Sequence, residues 1–260
     1  MRGRNSYLNI CFLILTFPFT LQAQNKIEGN LQYQFFVDPK GDGKKIQVEQ
    51  ILKKVGQSDC LIEFIFMNGR QEIKHQDKCS LSPLPLNDIT LCKAEIVGMG
   101  QVETIEYITG VGVSGIQSRK KLIFDSVNNK VIVIHYAEGG ASGLEEAKKL
   151  EEGKYLLPLL EASYILPGFQ GYGPSQYSGY VVEFSEKGIE VTHILNPIAK
   201  VDSGSEKDIK SIRNSEWCKF FYKDQMKEYQ EALKTGKISK EGKTEIQQLI
   251  VKTNRFCNVK

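Results

Sequence analysis

Tight-turn signals between apolar runs recur along the chain and favour antiparallel β-structure. Asn68-Gly69 separates the apolar run Cys60–Met67 from the run Arg70–His75. An Asn-Gly pair in this setting is typical of a two-residue hairpin turn, because both turn positions need a positive φ. The segments around residues 127–130 and 185–188 have the same organisation. The sequence therefore predicts three antiparallel hairpins.

Further strands are predicted outside the hairpins. Tyr33–Val37 and Val102–Thr109 combine aromatic and β-branched residues, which are enriched in strands. Ile46–Val55 is ambiguous, because its apolar residues fit one face of a helix and the segment also fits a strand.

Amphipathic helices are predicted late in the chain. Glu206–Lys234 and Lys243–Asn254 flank a breaker around Gly236 and Gly242, which predicts an antiparallel helical hairpin. Ser142–Glu145 has the pattern of a capping box and predicts a short helix ending at Glu152. Strands first and helices last favour an α+β fold, mainly antiparallel β in the first two-thirds of the mature chain.

Residues 1–23 have the three-part pattern of a secretory signal peptide. Arg2 and Arg4 precede the apolar run Ile10–Phe19, and Ala23 lies at the expected cleavage point. This run is about ten residues long, whereas a membrane-spanning helix needs about 20. We therefore expect residues 1–23 to be removed. The mature chain then contains a β-rich domain at 24–205 and the helical hairpin at 206–260, packed on the same domain.

The charge balance of the mature chain lacks the excess of basic residues that is typical of nucleic-acid-binding proteins. Loss of Arg2 and Arg4 lowers the basic count from 34 to 32 against 31 acidic residues, which gives a net charge of about +1. No later segment is long and apolar enough to span a membrane. We expect a secreted, periplasmic or cell-surface location, with no nucleic-acid partner and no transmembrane segment.

Five cysteines remain after cleavage, and an oxidising compartment favours two disulfides and one free thiol. The arm from Cys218 to the end of the first predicted helix at Lys234 is nearly as long as the arm from Lys243, where the second begins, to Cys257. Nearly equal arms predict a Cys218–Cys257 bond across the hairpin. The spacing of Cys60, Cys79 and Cys92 does not identify their free member, although the turn at Asn68-Gly69 favours Cys60–Cys79.

Three motifs resemble ligand sites but have simpler explanations, two of them as turns and Gly139–Gly143 as the start of a capped helix. Gly110–Gly115 matches the dinucleotide-binding pattern GxGxxG, yet the residues after it look extended instead of helical. Gly139–Gly143 precedes acidic residues that would repel a phosphate. Asp38–Gly43 resembles a calcium loop, but Lys40 occupies a ligand position. We therefore expect no cofactor and no metal site.

Two features are candidates for contact with a partner. The Gly/Tyr/Ser segment at 168–179 and the strand after it carry Tyr172, Tyr177 and Tyr180, and aromatic residues on a polar loop are good contact residues for a protein or glycan. Lys260 ends the chain with an ammonium beside a carboxylate, the ligand type taken up by lysine-binding modules.

These patterns favour an exported, non-enzymatic protein that binds a macromolecule, either a protein or a glycan. One concrete version is a bacterial surface or secreted adhesin for host extracellular-matrix or plasma proteins. The first alternative is an exported hydrolase whose site is assembled from dispersed residues such as His135, His193 and Glu183. The second is an envelope-structural protein that docks through its helical hairpin.

Overall fold

The computed structural model describes residues 25–27, 30–81, 88–139, 142–161, 174, 176–194, 216–235 and 238–259. Within these residues the chain forms two β-sheets, a short 3-10 helix at Ile89–Cys92 and two α-helices. The larger sheet contains β1 (Asn25–Ile27), β2 (Asn30–Val37), β3 (Ile46–Lys54), β4 (Asp59–Asn68), β5 (Gln71–Leu81), β6 (Glu95–Met99), β7 (Val102–Val111), β8 (Gln117–Asp125) and β9 (Lys130–Glu138). The smaller sheet contains β10 (Gly143–Leu144), β11 (Lys148–Glu151), β12 (Lys154–Glu161), β13 (Gln176–Ser185) and β14 (Gly188–Ile194). The helices are α1 (Glu216–Lys234) and α2 (Lys240–Phe256).

The larger sheet folds over on itself where β5 meets β7. Its strands lie in the order β1-β2-β3-β4-β5-β7-β8-β9, and β6 also pairs with β7. Neighbours are antiparallel except β5 and β7, which run parallel and pair only over residues 80–81 and 110–111. The two halves of the sheet face each other, since the rings of Phe66 and Phe124 stack at 4.9 Å between centroids.

The first hydrophobic core lies between these two halves. β4 contributes every second residue, and these inward side chains are Cys60, Ile62, Phe64 and Phe66. This period of two is the pattern of a strand with one face on a core. The opposite half of the sheet completes the core with Ile105, Tyr107, Leu122 and Phe124.

β8 is covered on both faces because a second core lies behind it. Leu122 and Phe124 contribute to the first core, and Ile123 contributes to the second. The second core fills the space between β6–β9 and the smaller sheet, which provides Tyr155, Leu157, Leu159 and Val182. Burial on both faces explains why apolar residues run consecutively through the second half of this strand.

One ion pair is enclosed between these layers. The Lys121 side chain is 3% exposed and pairs with Glu106 of β7. Its ammonium also donates to Thr104 Oγ1 at 3.1 Å. Arg119 lies 3.9 Å from Glu106 and pairs with Glu138 at 2.5 Å nearer the surface. The buried charges are therefore compensated, as the enclosed position requires.

The helical hairpin covers the far face of the smaller sheet. Leu156 and Val181 form a third core with Tyr177 and with Phe221 of α1. The Tyr177 and Phe221 rings stack at 6.0 Å between centroids. The Ser239 hydroxyl accepts a hydrogen bond from Gly242 N at 3.1 Å and caps the start of α2. Neither described helix is long and apolar enough to cross a membrane.

Both predicted disulfides are present. Cys60 and Cys79 lie directly opposite each other in the β4–β5 hairpin, with 4.9 Å between their Cα atoms. Cys218 and Cys257 join the two helices, with 5.4 Å between their Cα atoms. Cys92 is the free cysteine among the described residues and is buried.

The α+β fold class is confirmed, as are the three hairpins and the pair of helices. The ambiguous segment at 46–55 contains strand β3. Of the first predicted helix, residues 206–215 lie outside the described residues, and Glu216–Lys234 forms α1. Residues 1–23, with the predicted signal peptide, also lie outside the described residues.

The helix predicted from Ser142 to Glu152 is wrong. This segment contains strands β10 and β11, which both pair with β12, and Glu145 N donates to Pro158 O at 2.8 Å. Pairing with the edge of a strongly apolar strand outweighs the local capping pattern.

The contact between sheet and helix leaves no room for a side chain at Gly179. A Cβ at this position would lie 2.8 Å from Leu157 O and 3.0 Å from the Phe221 ring, whereas a Cβ at Gly98 would meet nothing closer than 3.8 Å. We expect Gly179→Ala to lower the free energy of unfolding by about 1–3 kcal/mol through overpacking. The matched variant Gly98→Ala should change it by less than about 1 kcal/mol. Urea unfolding of both variants tests the contact, and equal stabilities would contradict it.

Candidate functional site

One described groove lies where one turn from each of three β-layers meets. The turns follow β2 (residues 38–43), join β8 to β9 (residues 126–129) and join β13 to β14 (residues 186–187). We call this site the three-turn groove, and its volume is about 590 Å³. Its apolar lining residues are Pro39, Phe124, Val127, Phe184 and Ile189. Its polar lining residues are Lys40, Asp125, Ser126, Ser185 and Glu186.

The first turn is organised by the buried carboxylate of Asp38. This group accepts hydrogen bonds from four successive backbone amides, those of residues 40–43, at 2.6–3.2 Å. Burial raises the pKa of Asp38, but the amide hydrogen bonds outweigh burial and lower it overall. Asp38 N also donates to Glu103 Oε2 at 2.7 Å, which fixes the turn to β7. The calcium-like spacing in this segment therefore belongs to a turn whose leading carboxylate is engaged by the chain itself.

The second and third turns are joined by Asp125, which is fully buried at the end of β8. Its carboxylate accepts from the backbone amides of Val127 and Asn128 at 3.1 Å, and from the Asn128 side chain at 2.8 Å. It also accepts from Ile189 N at 3.1 Å, across the layer boundary. The Asn128 side chain donates to Lys187 O at 2.8 Å. One aspartate thus holds both turns in a single arrangement.

Gly188 is the residue that allows this junction. Its φ is +113°, and a Cβ there would lie 2.0 Å from the Asn128 side-chain nitrogen and 2.6 Å from Asp125 Oδ2. Glycine is therefore required both by the backbone conformation and by the close approach of the second turn.

The groove combines apolar and polar lining residues. Aromatic and aliphatic side chains together with a few polar groups are typical of sites that bury apolar parts of a ligand. Among the described lining residues, the titratable ones are Lys40, Asp125 and Glu186, and the Asp125 carboxylate is engaged by the two turns. The lining also contains the hydroxyl groups of Ser126 and Ser185, and the Ser185 hydroxyl donates to Gly188 O at 3.1 Å.

The structure describes two of the three tyrosines predicted as contact residues, Tyr177 and Tyr180. Tyr177 is 9% exposed and stacked on Phe221 in the third core, so it is a packing residue on β13. Tyr180 lies on the same strand, half-buried, and its ring stacks on His193 at 4.4 Å between centroids. Tyr172 and Lys260 lie outside the described residues.

Of the residues suggested for a dispersed hydrolase site, His135 and His193 both contact Tyr180, whereas Glu183 lies on the other face of the sheet. Tyr180 and Glu183 are three positions apart on β13 and point to opposite faces of the sheet, and His193 lies beside Tyr180. Glu183 instead pairs with Lys154 at 3.7 Å on the other face. His135 lies on β9, where its Nε2 is 2.8 Å from the hydroxyl of Ser118.

A second polar cluster lies where the larger sheet folds over on itself, and it joins β5 to β7 and β8. Asp77 of β5 accepts from the hydroxyl of Tyr107, lies 2.5 Å from the Lys120 ammonium and lies 2.9 Å from His75 Nε2. Burial raises the pKa of Asp77, but hydrogen bonds from His75, Lys120 and Tyr107 outweigh burial and hold it well below its usual range. Burial, together with Asp77, raises the pKa of Tyr107. These groups bind one another across three strands, which is the arrangement of a structural cluster.

The sequence indicated each of the three turns that line the groove. It did not indicate that the three turns lie next to one another. Asp38 and Asp125 each stand at the end of a strand and before a turn, a pattern in which aspartate accepts from the following backbone amides. This signal predicts rigid turns. That three such turns come together depends on how the layers stack, which no local pattern records.

Comparisons with protein-family models, with curated proteins and with solved structures found no match to this chain.

Proposed function

We propose that this chain is an exported, non-enzymatic binding protein whose three-turn groove receives apolar side chains of a protein partner. The observation that carries the proposal is the groove itself, about 590 Å³ with a largely apolar lining, whose turns are fixed by two buried aspartates. A rigid site loses little conformational freedom on binding, so more of the contact energy contributes to affinity.

The chemistry of the lining favours a protein partner over a glycan. The lining includes Phe124, Phe184, Val127 and Ile189, whose side chains offer apolar contact and few hydrogen bonds. Buried aromatic and aliphatic anchors surrounded by a polar rim are the usual centre of a protein interface. Lys40 and Glu186 belong to the polar part of the lining, where charges of both signs add selectivity.

Export is supported by two independent features. Residues 1–23 have the pattern of a signal peptide, and the structure contains two disulfides, which persist mainly in oxidising compartments. A bacterial adhesin that binds host extracellular-matrix or plasma proteins combines export with protein binding, and we propose it as the concrete form of this function.

A solid-phase binding screen tests this form. The oxidised chain 24–260 is titrated onto laminin, fibronectin, collagen, plasminogen and heparin, with free lysine as a competitor and a variant lacking Lys260. Saturable binding to one or two of the proteins is expected. Binding to heparin alone would contradict the choice of a protein partner, and an absence of binding across the panel would contradict the adhesin form.

The contribution of the groove is tested with two exposed valines. Val127 lines the groove and is 42% exposed, whereas Val113 is 81% exposed on the turn at the opposite end of β8. We expect Val127→Asp to weaken binding by about tenfold or more, because truncating or charging an interface anchor costs about 1–4 kcal/mol. Val113→Asp should bind as the unaltered protein does. Equal binding by both variants, measured on the partner found in the screen, would place the contact surface elsewhere.

A further inference from the structure

Three cysteine sulfurs lie together in the first core. The Sγ atoms of Cys60, Cys79 and Cys92 are all within 4.8 Å of one another, and all three residues are buried. Cys60 and Cys79 form a disulfide, and the free Cys92 Sγ lies 4.0 Å from Cys60 Sγ. A free thiol therefore lies in van der Waals contact with a disulfide.

The position of Cys92 is enforced by the surrounding chain. Cys92 ends the 3-10 helix, and Gln50 of β3 holds the backbone at Cys92 and just after it. Gln50 Nε2 donates to Cys92 O at 2.7 Å, and Ala94 N donates to Gln50 Oε1 at 2.8 Å. Gln50 is itself fully buried, so both bonds are shielded from water. The contact between the thiol and the disulfide is consequently a fixed feature of the core.

We propose that Cys92 exchanges with the Cys60–Cys79 disulfide, so that the folded chain has two alternative disulfides in its first core. The Cys92 thiolate attacks Cys60 Sγ, the Cys60–Cys92 bond forms, and the Cys60–Cys79 bond breaks. Cys79 leaves as a thiolate and takes up the proton that Cys92 lost. The number of disulfides and thiols is unchanged, so the step needs no oxidant or reductant.

The two bonds constrain the fold differently. Cys60–Cys79 joins opposite residues of one hairpin. Cys60–Cys92 ties β4 to the 3-10 helix and leaves a thiol on β5. Burial raises the pKa of Cys92 to about 12, so its thiolate is scarce at neutral pH and becomes commoner as the pH rises. Exchange is therefore slow at neutral pH and faster in alkaline solution.

Peptide mapping of the oxidised chain 24–260 tests the exchange. Samples held at pH 7.5 and 9.5 are quenched with acid and a maleimide before digestion. Trypsin alone leaves Cys79 and Cys92 in one peptide, residues 79–93, so a second protease that cuts before Asp88 is needed. We expect a Cys60–Cys92 peptide that forms about 100-fold faster at the higher pH, in proportion to the thiolate fraction.

Two variants and one internal reference complete the experiment. In Cys92→Ser the first core should contain only the Cys60–Cys79 disulfide, and in Cys79→Ser it should form Cys60–Cys92. The Cys218–Cys257 peptide should stay intact throughout, because exchange within the folded core does not reach it.

The proposal is overturned if the unaltered chain retains only Cys60–Cys79 in the first core at both pH values. It is also overturned if Cys92 becomes linked to Cys218 or Cys257, since that mixing requires unfolding. The unaltered chain and Cys92→Ser decide the matter even if Cys79→Ser fails to fold.

Discussion

Replacing Glu106 with alanine should lower the free energy of unfolding by about 3–5 kcal/mol, the largest loss that we expect from a single substitution here. Glu106 is the partner of Lys121, whose side chain is 3% exposed between the larger and smaller sheets. Without the Glu106 carboxylate, the Lys121 ammonium still donates a hydrogen bond to the Thr104 hydroxyl. It loses the negative charge that compensates its own charge. An uncompensated charge at this depth is costly, because water cannot solvate it.

Matched substitutions test whether the expected loss of stability in Glu106→Ala comes from the burial of the ion pair or from ion pairing alone. Glu72 pairs with Lys74 on the outer face of β5, where both side chains are more than half exposed. Glu72→Ala should therefore change stability by less than about 1 kcal/mol. The double variant Glu106→Leu, Lys121→Met should recover much of the loss, since a buried pair can be replaced by apolar residues of similar size. Similar urea midpoints for Glu106→Ala and Glu72→Ala would contradict the enclosed position of the pair.

Replacing Asp125 with alanine should lower the free energy of unfolding by about 2–4 kcal/mol, because it leaves several donors without an acceptor. Three of these donors are backbone amides, and the fourth is the side chain of Asn128. The same change should loosen the three-turn groove, since it removes the hydrogen bond from Ile189 N.

Asp42→Ala, on the exposed part of the first turn, is the control and should lower the free energy of unfolding by less than about 1 kcal/mol. Urea unfolding measures stability, and amide hydrogen exchange of residues 126–129 and 186–189 measures the loosening. Unchanged exchange at these residues would show that Asp125 does not hold the turns.

The contribution of Asp125 should also depend on pH. Burial raises the pKa of Asp125, but the hydrogen bonds from Asn128, Ile189 and Val127 outweigh burial and lower it overall. Because the pKa of the folded state lies below that of the unfolded chain, the ionised carboxylate stabilises the fold above about pH 4. This stabilisation declines as the pH falls toward the lowered pKa. The difference in stability between the unaltered protein and Asp125→Asn should therefore be larger at pH 7 than at pH 3. A difference that grows on acidification would contradict this sign.

Local patterns indicated the three hairpins and both disulfides. The turn at Asn68-Gly69 predicted both a hairpin and the opposition of Cys60 and Cys79, because the register of a hairpin follows from its turn. The arm lengths of α1 and α2 likewise predicted Cys218–Cys257. In these cases the deciding interaction lies within one supersecondary unit, so the sequence records it directly.

Local patterns failed where contacts between layers decide the outcome. Residues 142–152 have a helical start signal, yet they pair with β12 because that strand has an open edge beside them. Tyr177 follows a glycine-rich segment that suggests exposure, yet α1 covers it. The groove depends on three turns that lie far apart in sequence, and their meeting follows from the stacking of the sheets. Such features need the tertiary arrangement and cannot be derived from periodicity.

A fragment titration followed by nuclear magnetic resonance is the most direct test of the three-turn groove as a binding site. N-acetyl-phenylalanine amide mimics one apolar side chain of a protein partner, so it tests the groove before that partner is identified. Saturable shifts are predicted for the amides of Lys40, Val127, Gly188 and Ile189, and they should be lost in Val127→Asp but kept in Val113→Asp. Shifts that cluster on another surface, or that persist in Val127→Asp, would contradict the proposed binding site.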